Sequence, residues 1–136
     1  MKSKKCLHKE KSMCAEKSDV CCGGPTLIFA CSGAADVGEI ADRTARKLTK
    51  DGFGKMFCLA GIGGHVSGIM KTTESASKIL AIDGCTLNCV KNCFQQAGFN
   101  KFVHLQLADI GLEKGKSPAT NENIDRVIQK AVELLN

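Results

Sequence analysis

The chain has 136 residues, 43% of them hydrophobic and 24% charged, which is enough for one domain with a core and too little for two. No apolar run approaches the ~18 residues that span a bilayer, which excludes a membrane-spanning helix, and no apolar segment follows the basic N-terminus as it would in a secretory leader. Nine cysteines, an odd number, with no Trp and no Tyr, point to metal or thiol chemistry in a reducing, cytoplasmic setting rather than to a disulfide framework.

The net charge of +5 is concentrated at one end. Six lysines against Glu10 and Glu16 give residues 1–18 a charge of +4, leaving +1 for the rest of the chain. A nearly neutral body without Trp or Tyr argues against nucleic-acid binding, which needs a basic face and stacking groups. Residues 1–24 show neither helical nor strand periodicity and are expected to form a flexible basic tail. Their Cys6, His8, Cys14, Cys21 and Cys22 offer enough ligands for a second metal site, although no compact C-x-x-C pair is present. Gly23-Gly24-Pro25 breaks the chain and marks the start of a domain spanning 25–136.

From Thr26 on, short apolar runs alternate with helical periodicity. Thr26–Ala30 reads as a buried parallel strand. A helix follows from Asp36, which resembles an N-cap with Glu39 completing a capping box. Its apolar stripe is Val37, Ile40, Ala41, Thr44, Ala45 and Leu48, and Gly52 stops it. Lys55–Ala60 reads as the second strand, followed by Gly61, Gly63 and Gly64 and a helix within Val66–Ser77. Ile79–Ile82 is the third strand, and Thr86–Ala97 a helix whose stripe is Leu87, Val90, Phe94 and Ala97. Phe102–Leu107 is the fourth strand, and Thr120 or Asn121 caps a last helix buried through Ile124, Val127, Ile128, Ala131 and Leu135. Four strand-then-helix units predict an α/β fold: a small doubly wound, Rossmann-like or flavodoxin-like, parallel four-stranded sheet with strand order 2-1-3-4.

In such a sheet ligands bind beyond the carboxyl ends of the strands. Cys31 leaves the first strand there and Cys85 the third, each ahead of a helix whose free N–H groups favour a thiolate. Cys58 falls within the predicted second strand, and Cys85, Cys89 and Cys93 form a C-x3-C-x3-C series. Cys85 and Cys89 are one turn apart on the predicted helix and can share an ion, whereas Cys93 is ~12 Å along it from Cys85, too far for one zinc with ~2.3 Å bonds to sulfur. The predicted ligand set is therefore Cys31, Cys58, Cys85 and Cys89, with Cys93 left for packing or for a larger cluster. Gly61-Ile62-Gly63-Gly64-His65 matches neither a dinucleotide fingerprint nor a P-loop. His65 is read as a loop residue, His104 as structural, and Asp83 and Asp109 as capping or turn residues. With Val37 six positions beyond Cys31, a phosphatase-type loop is absent.

Taken in order, Cys31-Ser-Gly, Cys58-Leu-Ala-Gly-Ile-Gly and Ile82-Asp83-Gly84-Cys85-Thr-Leu-Asn-Cys89 with Cys93 resemble the DGC-domain family over about Thr26–Asn136. The resemblance implies zinc binding and no particular reaction, and it does not extend to the cysteines before Pro25. Thiolate ligands suit zinc, Cu(I) and iron–sulfur centres alike. The expected function is thiolate-ligated metal binding in metal handling or sensing. The alternative is a thiol-dependent oxidoreductase or transferase with Cys31 or Cys85 as nucleophile.

Overall fold

A computed structural model describes residues 23–136. The basic tail, with Cys6, His8, Cys14, Cys21 and Cys22, therefore lies outside the described residues. The elements run β1 (Thr26–Ala30), α1 (Asp36–Lys50), β2 (Lys55–Met56), α2 (Leu59–Gly63), α3 (Ser67–Glu74), β3 (Lys78–Asp83), α4 (Cys89–Ala97), β4 (Val103–Gln106), a 3-10 turn (Leu107–Ile110) and α5 (Asn121–Leu135). The four strands are all parallel, in the order β2-β1-β3-β4. This is the doubly wound sheet expected from the alternating runs.

Side-chain alternation along β1 separates two cores. Ile28 and Ala30 point to one face and pack with Ile40, Leu48, Leu105, Ile124 and Val127, from α1, β4 and α5. Leu27 and Phe29 point to the other and pack with Ile62, Val90 and Phe94, from α2 and α4. Phe94 makes ring contacts with Phe29, Phe99 and Phe102 at centroid separations of 4.8, 5.9 and 5.2 Å. No helix among the described residues is long and apolar enough to cross a membrane.

Four local expectations need correction. The second strand ends at Met56, not Ala60, because Leu59–Gly63 winds into a short helix that buries Ile62; a short apolar run fits a strand and a buried helical turn equally well. The third helix begins at Cys89, not Thr86. Asn88 adopts a left-handed conformation (φ 53°), so Thr86 and Leu87 form a turn and Leu87 is 63% exposed instead of lying in the core stripe. Asp36 is the first helical residue and Ala35 the N-cap, so there is no capping box. The fourth strand gives way at Leu107 to the 3-10 turn. By contrast, Thr120 caps α5 as read, its hydroxyl accepting a hydrogen bond from the Asn123 N–H at 3.3 Å.

Candidate metal and thiol site

The chain steps from β1 outward to β2, then back across to β3, so the topological switch point lies between β1 and β3, where helices leave toward opposite faces. Cys31 and Gly84-Cys85 exit there side by side. The Cys31 N–H donates to the Ile82 carbonyl (3.1 Å), extending the β1–β3 ladder by one residue. The Cys31 sulfur in turn accepts a hydrogen bond from the Gly84 N–H (3.4 Å). Position 84 has no room for a side chain, because a Cβ there would sit 2.8 Å from the Val37 carbonyl oxygen at the start of α1. Cys31 is half-buried and packs against both cores.

Beyond Cys31 the chain turns sharply at Ser32 (φ 50°). The Ser32 hydroxyl donates to Asp42 (2.8 Å), which also accepts from the Arg46 Nε (2.6 Å). Both donors favour the charged carboxylate and outweigh its partial burial, so Asp42 titrates below its ordinary value.

Asp83, the last residue of β3, is 1% exposed. Its two carboxylate oxygens accept hydrogen bonds from the N–H groups of Val90 (2.8 Å) and Lys91 (3.1 Å), satisfying donors in the first turn of α4. The Nε2 of His104, on β4, lies 2.8 Å from the same carboxylate. These contacts give Asp83 the capping role and His104 the structural role read from sequence. Two residues that the sequence did not flag hold the intervening turn: Gln106 donates to the Asn88 side chain (2.5 Å) and to the Cys85 carbonyl (3.5 Å). A polar residue at a strand's carboxyl end was the only signal for Gln106.

The thiols fall on both sides of this frame. Cys85 is half-buried at the start of the turn and lines a cavity with Gly84, Thr86, Leu112 and Glu113. Cys58 is not inside a strand; it is the exposed N-cap residue of α2. Cys89 opens α4, and Cys93 follows one turn later. Cys31, Cys58 and Cys93 line a single cleft of about 540 Å³, walled mainly by apolar groups, with Arg46 and Asp42 also on it. Because Cys85 is not helical, the ~12 Å helical spacing from Cys93 does not apply. The Cys89 thiol is pushed above its ordinary value, first by partial desolvation and then by negative charge on Asp83, Cys31, Cys85 and Cys93. Cys58 shares the cleft with Cys31 and Cys93. His65 and Asp109 are exposed, His65 just beyond α2 with a φ of 53° and Asp109 in the 3-10 turn.

Thiols are the right donors for a soft or borderline ion. As they stand, no three His, Cys, Asp or Glu side chains among the described residues are arranged to hold one.

A profile of the DGC domain matches residues 27–131. The chain belongs to the DGC-domain family. A relative within reach of direct comparison is the "Anaerobic and virulence modulator AnvM" of Pseudomonas aeruginosa, 39% identical over 88 residues, which cover 65% of this chain and 67% of that one. No solved structure matches the chain.

Proposed function

We propose that this DGC-domain protein is a cytoplasmic metal-binding protein that takes one thiolate-ligated ion, zinc in the first instance, beyond the carboxyl edge of its sheet. Cys31, Cys58, Cys85 and Cys89 would hold it, and Cu(I) or an iron–sulfur centre is the competing occupant. The observation that carries this reading is that Cys31 and Gly84-Cys85 leave β1 and β3 side by side at the switch point, the Gly84 N–H on the Cys31 sulfur, with Cys89 opening α4 just beyond. Thiols gathered at one edge can give up their protons together to a single cation. Cys58 and Cys89, both exposed, are the side chains whose rotation would close the ligand set, and Cys93 competes with Cys58 for the cleft side of it. Metal handling or sensing fits such a site. A relative named as a modulator of anaerobic and virulence behaviour favours sensing, because thiol ligation responds to oxidants as well as to metal supply.

The deciding measurement is an anaerobic metal-competition titration on single Cys→Ser variants. Cys31→Ser and Cys85→Ser should each weaken zinc binding by on the order of a hundredfold or more, because each removes a ligand from a closed tetrahedral set. Cys93→Ser should have a much smaller effect. Equal, small losses across all three would reject a shared mononuclear site. Affinity should fall as pH falls, since protons compete for the thiolates. The raised Cys89 thiol keeps its proton through neutrality, so affinity should still be climbing above pH 7.

The alternative, an oxidoreductase or transferase, is favoured by one contact: the Gly84 N–H aimed at the Cys31 sulfur, a donor that stabilises a thiolate. It predicts a single hyper-reactive thiol in metal-free protein, where the metal reading predicts several thiols protected together by one ion.

A further inference from the structure

The edge strand β2 stops at Met56 and α2 starts at Leu59, so the chain leaves the sheet's edge before its apolar side chains are fully covered. Met56, Phe57 and Leu59 remain only partly buried and Ala60 is exposed. These residues line the cleft of about 540 Å³ onto which Cys31, Cys58 and Cys93 also face. A cleft of that size falls within the roughly 300–1,000 Å³ of small-molecule sites.

The same cleft carries a built charged group. Ser32, held in a left-handed conformation (φ 50°), donates its hydroxyl to one oxygen of Asp42 (2.8 Å), and the Arg46 Nε donates to the other (2.6 Å). Both oxygens of Asp42 are thereby engaged. The guanidinium is held by its Nε edge, and its terminal nitrogens have no partner among the described residues. Arg46 also borders the groove of Arg43, Lys47 and Lys50, where Asp51 and Asp125 are the carboxylates, so the potential beside its open edge is positive.

We propose that this cleft binds a small free organic monocarboxylate with an apolar body, the carboxylate on the terminal nitrogens of Arg46 and the body over the three thiols. The planar guanidinium fork matches a carboxylate, and one cation matches one negative charge. A doubly charged phosphate would share that single cation while facing the Asp42 carboxylate. A cationic ligand would find both Asp42 oxygens already taken. The apolar body removes Met56, Phe57, Leu59 and Ala60 from water. It covers Cys31, Cys58 and Cys93 and leaves Cys85 open, because Cys85 lines a different cavity with Leu112 and Glu113. Occupancy and metal binding then compete for Cys31 and Cys58; that last clause alone rests on the function proposed above.

The test titrates the full-length, metal-free protein with octanoate under anaerobic, reducing conditions. Calorimetry reads binding, and alkylation with peptide mapping reads each thiol. Saturating octanoate should slow alkylation of Cys31, Cys58 and Cys93 several-fold and leave Cys85 at its unliganded rate. Octanol keeps the body and loses the charge, so it should bind about tenfold more weakly, the order of magnitude of one charge-assisted hydrogen bond at an exposed site. Arg46→Gln should lower octanoate affinity by about the same factor and leave octanol unaffected. Ala60→Phe, at an exposed position, should fill the cleft and abolish binding of both. Absence of saturable octanoate binding, equal slowing at Cys85, or unchanged octanoate affinity in Arg46→Gln or Ala60→Phe would each overturn the site. Tighter binding of octyl phosphate than of octanoate would overturn the carboxylate assignment. Repeating the titration in the presence of zinc separates the two ideas: zinc affinity unmoved by saturating octanoate would reject shared thiols and leave the cleft site standing.

Discussion

On one face of the sheet, α1 and α5 are 15 residues each and bury an almost entirely aliphatic core. On the other, three helices of 5, 8 and 9 residues cover a core centred on phenylalanines, and these short helices or their caps carry Cys58, Cys89 and Cys93. Long helices propagate many backbone hydrogen bonds for one costly nucleus, whereas helices this short depend on their packing. The division assigns stability to the long-helix face and adjustable thiol geometry to the short-helix face. Cys31, packed against both cores, is the seam between them.

The strongest way to break this comparison is to open a cavity in each face. Phe94→Ala should cost about 3–5 kcal/mol and Leu48→Ala about 2–5 kcal/mol, since both side chains are fully buried. Their local consequences should differ. The alkylation rate of Cys93, adjacent to Phe94 on α4, should rise well ahead of global unfolding in Phe94→Ala, while Leu48→Ala should leave it at the wild-type rate relative to stability. Equal acceleration in both variants, once matched for stability by denaturant titration, would show that the faces are not separable.

A smaller effect sharpens the role of the long-helix face. Thr120→Ala removes the hydroxyl that accepts from the Asn123 N–H, and the loss of such a cap costs about 1 kcal/mol. Because α5 packs on α1 and touches none of the thiol-bearing helices' core, chemical denaturation should register this loss while the alkylation pattern of the five described cysteines stays unchanged. A shift in thiol reactivity would mean that α5 also sets the site.

The same division explains what the sequence disclosed. In α1 the stripe Val37, Ile40, Ala41, Thr44, Ala45 and Leu48 is wholly buried, and Gly52 ends the run with a φ of 86°. Fifteen residues of period are enough to identify a helix. Across the sheet, five residues from Leu59 were too few to distinguish helix from strand, which misplaced Cys58. The turn before α4 depends on Asn88, Gln106 and the Asp83 carboxylate. Those contacts join different elements, 7 and 18 positions apart, which local periodicity does not record. Cys31 and Cys85 were legible at the switch point because strand ends and topology alone put them there. The place of Cys93 on the cleft was not, because it depended on where α4 begins.

The subtlest expected effect lies at the start of α1, on the long-helix face. Asp36 accepts hydrogen bonds from the N–H groups of Val37 (2.8 Å), Gly115 (2.9 Å) and Ser117 (3.1 Å), tying α1 to the loop that leads into α5. The Gly115 bond is the main cause of a carboxyl held below its ordinary value, and the Val37 and Ser117 bonds add to it against a desolvation that acts the other way. A carboxylate with a depressed folded-state value contributes stability that is fully present above the unfolded value, about pH 4, and is lost as pH falls through the folded one. Asp36→Asn should therefore lower the melting temperature slightly at pH 7, and the gap between variant and wild type should narrow as pH drops below about 4. Melting curves from pH 7 to 2.5 on both proteins would show the convergence; a gap that is constant with pH would mean that Asp36 acts through shape and not through its charge.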